Sequence, residues 1–187
     1  MGSWGYALAA GLEYLPGEVI LEVGADRDEG STPFLAGLGP LVVVVDIDPW
    51  ACVRAGQVPG NVQVMQGLAE QVLVGWDSPI RFAWLDGHDW PYDGPEYPPG
   101  CWDQQERQYR ARGQDYSKVA SQASHLQIAK LIAGSVVPGG IIAFDDTWYT
   151  GDCWDGKGGA AVPHLLERDH FEVESVAGQL VALRRLT

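Results

Sequence analysis

Seven short apolar runs punctuate the chain: VILEV at 19–23, LVVVV at 41–45, VQVM at 62–65, IRFAWL at 80–85, IIAF at 141–144, FEVES at 171–175 and QLVALR at 179–184. Most are rich in β-branched residues and end at Gly, Pro or Asp, which predicts strands. The runs without polar alternation predict a sheet covered on both faces. Segments with helical spacing lie between them, at 31–38, 48–55, 67–75, 117–135 and 158–168. In the fourth, Val119, Ala123, Leu126, Ile132 and Ala133 recur at threes and fours and make one buried face. VVPGG at 136–140 predicts the end of that helix and a turn into the next strand. Strand alternating with helix predicts a doubly wound α/β architecture with a mostly parallel sheet. Only residues 176–178 separate the last two runs, so these are expected to pair as an antiparallel hairpin at one edge.

One stretch breaks the alternation. Residues 89–116 are dense in Pro, Gly, charge and aromatics, and they follow directly on a strand's carboxyl end. A long loop there is a lid or binding loop, or else a disordered insert; Trp90, Tyr92, Tyr97 and Trp102 favour the lid. At 187 residues the chain suits a single domain, 1–187, with one sizeable core.

Composition narrows the partners. With 12 Lys+Arg against 25 Asp+Glu the formal net charge is −13, which opposes nucleic acid and anionic membrane as partners. Cys52, Cys101 and Cys153 form no C-x-x-C pair, so neither a disulfide framework nor a zinc knuckle is indicated, and a cytoplasmic location suits them. No apolar run approaches the length of a membrane span, and the N-terminal residues lack the basic flank of a signal.

In open α/β sheets ligands bind outside the carboxyl ends of the strands, and those ends are acidic throughout. The first carries Glu22 and a turn in which Gly24 and Gly30 would let backbone approach a ligand, with Ser31 or Thr32 available as a helix cap. The turn lacks G-x-G-x-x-G, and an ordinary strand-to-helix turn remains the alternative. Asp46 ends the second run, where a carboxylate can accept from both hydroxyls of a ribose; Asp48 can cap the helix starting at Pro49. Asp86 ends the fourth, and Asp145 with Asp146 ends the fifth. Three carboxylates at adjacent strand ends offer hard oxygen ligands for Mg²⁺ or a similar ion, solvated loop aspartates being the alternative. His88 and Asp89 are candidates for a general base, a histidine making one backbone hydrogen bond being the plainer reading.

Together these pieces resemble the class I S-adenosylmethionine-dependent methyltransferases, and among them the metal-dependent O-methyltransferases similar to catechol, caffeoyl-CoA and macrolide-sugar methyltransferases. The resemblance runs over residues 17–185 and rests on ILEVGADRDEGST, VVVVDIDP, GLAEQ, WLDGHDW and PGGIIAFDDTW, followed by GKGGAAVPHLL. It implies a Rossmann-like, seven-stranded sheet with its last strand antiparallel. It places Glu22 and Gly24 at the methionine part of S-adenosyl-L-methionine, with Gly30 and Ser31 opening the next helix, and Asp46 at the ribose. Gly67, Ala69 and Glu70 match the adenine-side loop, Asp86 is also expected to border the cofactor, and Asp86, Asp145 and Asp146 match the metal ligands. The first loop departs from the pattern: Asp26, Arg27, Asp28 and Glu29 stand where relatives often carry glycine. So does the absence of a lysine just after Asp86, which leaves His88, Asp89 or the metal itself to activate the acceptor.

The expectation is methyl transfer to a hydroxyl of a small-molecule substrate, a vicinal diol, bound and acidified by the ion. Trp90, Trp148 and Tyr149 would stack on its ring, with lid packing or a homodimer contact as their other use. Two rivals share parts of the pattern: a nicotinamide-dependent oxidoreductase, and a non-catalytic nucleoside- or metal-binding module of the same fold.

Overall fold

The computed structural model describes residues 3–25, 30–91, 100, 102–168 and 170–187. Its elements in chain order are α1 (Ser3–Ala10), β1 (Val19–Val23), α2 (Ser31–Ala36), β2 (Leu41–Asp46), α3 (Pro49–Ala55), β3 (Val62–Gln66), α4 (Ala69–Val72), β4 (Ile80–Leu85), α5 (Asp103–Ala111), α6 (Lys118–Ile132), β5 (Val136–Phe144), β6 (Thr147–Tyr149), β7 (Trp154–Gly156), α7 (Ala161–Arg168), β8 (Phe171–Ala177) and β9 (Leu180–Arg185). One seven-stranded sheet runs in the order β3-β2-β1-β4-β5-β9-β8. β9 is antiparallel to both β5 and β8, and the other pairings are parallel.

Alternation along the strands divides the core. Leu21, Val43, Leu85, Ile142 and Phe144 face one layer with α6 and α7, while Ile20, Val44, Phe82, Trp84 and Ala143 face the other with α1, α2 and α3. Both faces are covered, which is why β1, β2 and β4 read as largely apolar runs without polar alternation. Among the described residues no helix is long and apolar enough to cross a membrane.

The chain winds outward from β1 through β2 to β3, then returns to β4 on the other side of β1. This reversal is the switch point at which such sheets open a crevice. Hydrogen bonds continue past the strand ends: Gly24 N–H donates to Val45 O at 2.9 Å, Asp86 N–H to Val23 O at 2.8 Å and Asp145 N–H to Leu85 O at 3.1 Å. The acidic ends are thereby held in one row.

Five expectations shift. The buried face of α6 is formed by Ser121, Ser124, His125, Ile128, Ala129 and Ile132, whereas Val119 and Ala123 are exposed. VVPGG does not precede β5 but lies inside it; the ladder to β4 is irregular between Ile80 and Phe82, where a Cβ on Gly140 would stand 3.0 Å from Ile80 O, so glycine fits the distortion. The helix expected at 67–75 is reduced to Ala69–Val72. The segment expected as a loop contains α5, nine residues with an Arg110–Glu106 pair at 2.7 Å one turn apart. α5 presents Tyr109, which packs with Tyr116 on Ile47 and Leu68. Finally, β6 and β7 form a separate two-stranded hairpin beyond β5. Tyr92, Tyr97 and Cys101 lie outside the described residues, as do Asp26, Arg27, Asp28 and Glu29.

Candidate functional site

Glu22 is 0% exposed, and a buried carboxylate requires partners. Ser31 Oγ donates to its Oε1 at 2.6 Å and Thr32 Oγ1 to its Oε2 at 2.7 Å. The two hydroxyls expected to cap α2 are therefore committed to Glu22, and the cap position falls to Gly30, whose φ of 86° suits glycine. Gly24 also has positive φ, 90°, and a Cβ there would stand 2.6 Å from Asp86 O. It keeps β1 and β4 close where the crevice begins.

Asp46 organises the next turn. Its Oδ2 accepts from Ala25 N–H at 2.6 Å and its Oδ1 from Asp48 N–H at 2.6 Å, while Asp48 caps α3 through Trp50 N–H at 2.9 Å. Asp48 is thus the cap, and Asp46 stands at the crevice with Gly24, Gly67, Ala69 and Glu70. Glu70 accepts from Ser124 Oγ at 3.2 Å. His88 and Tyr109 close the outer side, with ring centroids 4.2 Å apart, leaving a cavity of about 30 Å³.

His88 is buried with φ 49°. Its Nε2 lies 3.1 Å from Asp115 O, so that nitrogen donates and Nδ1 carries the lone pair; Nδ1 has no hydrogen-bond partner among the described residues. Burial lowers its pKa, keeping the ring neutral. The candidate base is therefore part of the crevice wall.

Beside the crevice, oxygens of Asp86, Asp89 and Asp146 lie within 4.8 Å of one another. Lys157 Nζ is among them, paired with Asp86 Oδ1, 2.6 Å from Asp89 Oδ1 and 3.1 Å from Asp146 Oδ2. The expected trio was Asp86, Asp145 and Asp146; the backbones of Asp86 and Asp145 are neighbours, but Asp89 replaces Asp145 in the carboxylate group. Asp145 stays with the strand, where its Oδ1 accepts from Asp146 N–H at 3.0 Å, whereas Asp146 turns away with φ 44°. Asp89, the other candidate base, accepts from Gln105 Nε2 of α5 at 3.2 Å through its second oxygen. Withdrawal from water raises Asp86 above the usual carboxylate range against the pull of Lys157, with Asp145 and Asp89 adding to the rise. Burial and then the Asp146 charge raise Asp145 as well.

His125 of α6 is 0% exposed; its Nδ1 donates to Ser121 O at 2.9 Å and its Nε2 has no partner among the described residues. Burial, with the nearby Lys157 charge second, lowers it to about 3.

The aromatics separate. Trp90 is buried, so its ring is core rather than an exposed stacking face. Trp148 and Tyr149 ride on the β6–β7 hairpin, where Tyr149 and Trp154 have centroids 5.0 Å apart. On the other side of Asp145 an open cavity of about 510 Å³ is lined by Trp4, Gln179 and Leu180. Lys157, Tyr109, Gln105 and Trp4 were not singled out in the sequence. Only Lys157 carried a local signal, a lysine enclosed by glycines in DGKGG.

No protein-family model and no curated protein matches the chain. Solved structures do. An rRNA methylase from Streptococcus thermophilus is 19% identical, with 98% of this chain and 96% of that one covered at a TM-score of 0.58. SMU.1697c of Streptococcus mutans, described as a methyltransferase and bound to SAH, is 17% identical over 98% and 96%, with a TM-score of 0.61. A TehB-like SAM-dependent methyltransferase from Corynebacterium glutamicum is 16% identical over 100% and 89%, at 0.57. With the observed strand order, these likenesses show a Rossmann-like α/β fold of the kind these solved methyltransferases have. They do not single out the metal-dependent O-methyltransferases that the sequence resembles.

Proposed function

We propose that this protein is a methyltransferase that moves a methyl group from S-adenosylmethionine to a hydroxyl of a small-molecule acceptor. The observation that carries the proposal is the row of strand ends at the switch point: a crevice bordered by Gly24, Asp46 and Glu70, adjoining a carboxylate centre at the ends of β4 and β5. The crevice residues fit a nucleoside. Asp46 and Glu70 supply acceptors for hydroxyl and amino hydrogens, Gly24 lets the ends of β1 and β4 meet at the crevice floor, and the Nδ1 lone pair of His88 is buried beside them without a partner among the described residues. A cavity of about 30 Å³ is smaller than a nucleoside, so α5 with Tyr109 moves outward to admit it.

When bound, S-adenosylmethionine supplies an electrophilic methyl group on a sulfonium. The cavity beside Asp145 offers the acceptor an aromatic wall, Trp4, and a carboxylate. Asp145 takes the hydroxyl proton as the oxygen gains its methyl group; of the bases expected from the sequence, His88 lies in the crevice wall and Asp89 is engaged by Lys157 and Gln105. No step runs through a divalent ion, because Lys157 stands among the carboxylates that would hold one. The net charge of −13 favours a small acceptor over RNA.

The test is calorimetric titration with S-adenosylmethionine and S-adenosylhomocysteine, followed by radiolabelled methyl transfer to vicinal diols, with rRNA as the control acceptor. Binding of both nucleosides and labelling of a diol are expected. NAD(P)H binding in their place would return the oxidoreductase, and binding without transfer to any acceptor would leave a binding module.

A further inference from the structure

We propose that Lys157 is the resident cation of the acidic centre, standing where the resembled enzymes hold a divalent ion, and that the protein works without metal. The carboxylate oxygens of Asp86, Asp89 and Asp146, within 4.8 Å of one another, are by chemistry a donor set for a hard cation. The ammonium already occupies their midst. It has three N–H donors, which are engaged by Asp86, Asp89 and Asp146, with the Asp86 carbonyl oxygen a further acceptor at 3.3 Å. Its side chain is 1% exposed, so the charge has no solvated position to swing to, and a buried charge leaves its partners only at heavy cost.

The backbone holds the lysine in place. Lys157 N–H donates to Asp146 O at 2.9 Å, and Gly158 N–H donates to Thr147 Oγ1 at 2.8 Å. Gly156 has φ 80°, and a Cβ there would run into the Asp146 carbonyl; one on Gly158 would meet Thr147 Cγ2 at 2.9 Å. Only glycines let the DGKGG turn press this close beneath β5. A divalent ion with its waters would need the space that the packed lysine fills.

The test is Mn²⁺ titration followed by electron paramagnetic resonance, with Mg²⁺ as competitor, on the wild-type chain, Lys157→Met and Asp146→Asn. Wild type is expected to take up no Mn²⁺ at this site, and to show the same melting temperature and S-adenosylhomocysteine affinity in Mg²⁺ as in chelator. Lys157→Met leaves the carboxylates without their counter-ion and is expected to bind Mn²⁺ at least roughly tenfold more tightly than wild type, with a melting temperature that rises on adding Mg²⁺. A role in packing alone would not create a metal site. Stoichiometric Mn²⁺ binding by wild type that Asp146→Asn abolishes would overturn the proposal, as would a folded Lys157→Met that gains none. If Lys157→Met does not fold, the wild-type titration decides. Loss of S-adenosylhomocysteine binding in both buffers would instead strike at the methyltransferase reading and leave this one standing.

Discussion

Replacing His125 by leucine isolates a single titration buried in the core. The imidazole is 0% exposed, spends its Nδ1 hydrogen on Ser121 O, and has no partner among the described residues for a proton on Nε2. The folded protein therefore resists protonation there, with a pKa of about 3, while the unfolded chain accepts a proton near the ordinary value of about 6.5. Because the folded value is the lower one, the stabilisation is in place above about pH 6.5 and is lost as pH falls towards about 3. Between about pH 7.5 and about pH 5 the loss from this group comes to about 2 kcal/mol, since each unit below the unfolded pKa costs about 1.4 kcal/mol. Urea unfolding followed by tryptophan fluorescence at the two pH values measures it. The other titrating groups, His88 included, are common to both chains, so the wild type should lose about 2 kcal/mol more than His125→Leu over this interval. Equal pH dependence in the two proteins would refute a neutral, sealed His125. At the higher pH the substitution should cost only about 1 kcal/mol, because the hydrogen bond to Ser121 O is lost together with an unsatisfied nitrogen.

Asp46→Ala should weaken S-adenosylhomocysteine binding by roughly tenfold to a hundredfold in calorimetry, the equivalent of about 1–3 kcal/mol, as it removes both a crevice acceptor and the clamp on Ala25 and Asp48. Gly24→Ala should lower the melting temperature by scanning calorimetry, by about 2–4 °C for each of the roughly 1–3 kcal/mol of strain that positive φ and contact with Asp86 O impose. Tyr109→Ala should speed S-adenosylhomocysteine association several-fold in stopped-flow fluorescence, since the ring stacked on His88 no longer closes the crevice; an unchanged rate would mean that α5 does not gate it.

The sheet was legible in the sequence because burial on both faces imposes a simple pattern: β1, β2 and β4 are dominated by apolar residues, interrupted only by Glu22 and Arg81, with Asp or Gly at or just beyond their ends, and the strand ends located Glu22, Asp46 and Asp86 directly. α5 was not legible. Its one buried side chain, Tyr109, leaves no stripe to detect, and its charged residues read as loop until the Arg110–Glu106 pairing is seen. The carboxylate partnership at β4 and β5 was half legible. Strand order and backbone register place Asp86 beside Asp145, but the left-handed turn at Asp146 decides which carboxylate joins the centre, and an aspartate in that conformation carries no sequence mark. Lys157 lies 71 residues from Asp86, and only the folded β6–β7 hairpin brings them together.

α5 touches both halves of the site. Tyr109 stacks on His88 at the crevice, and four residues earlier Gln105 donates to Asp89 in the charged centre. An outward shift of the helix that makes room for a nucleoside therefore also releases an acceptor oxygen on Asp89. The two events are thermodynamically linked, and the linkage is reciprocal: whatever draws Gln105 away from Asp89 also favours the open crevice, and whatever opens the crevice loosens Gln105 from Asp89. A single short helix thereby couples the crevice to the charged centre.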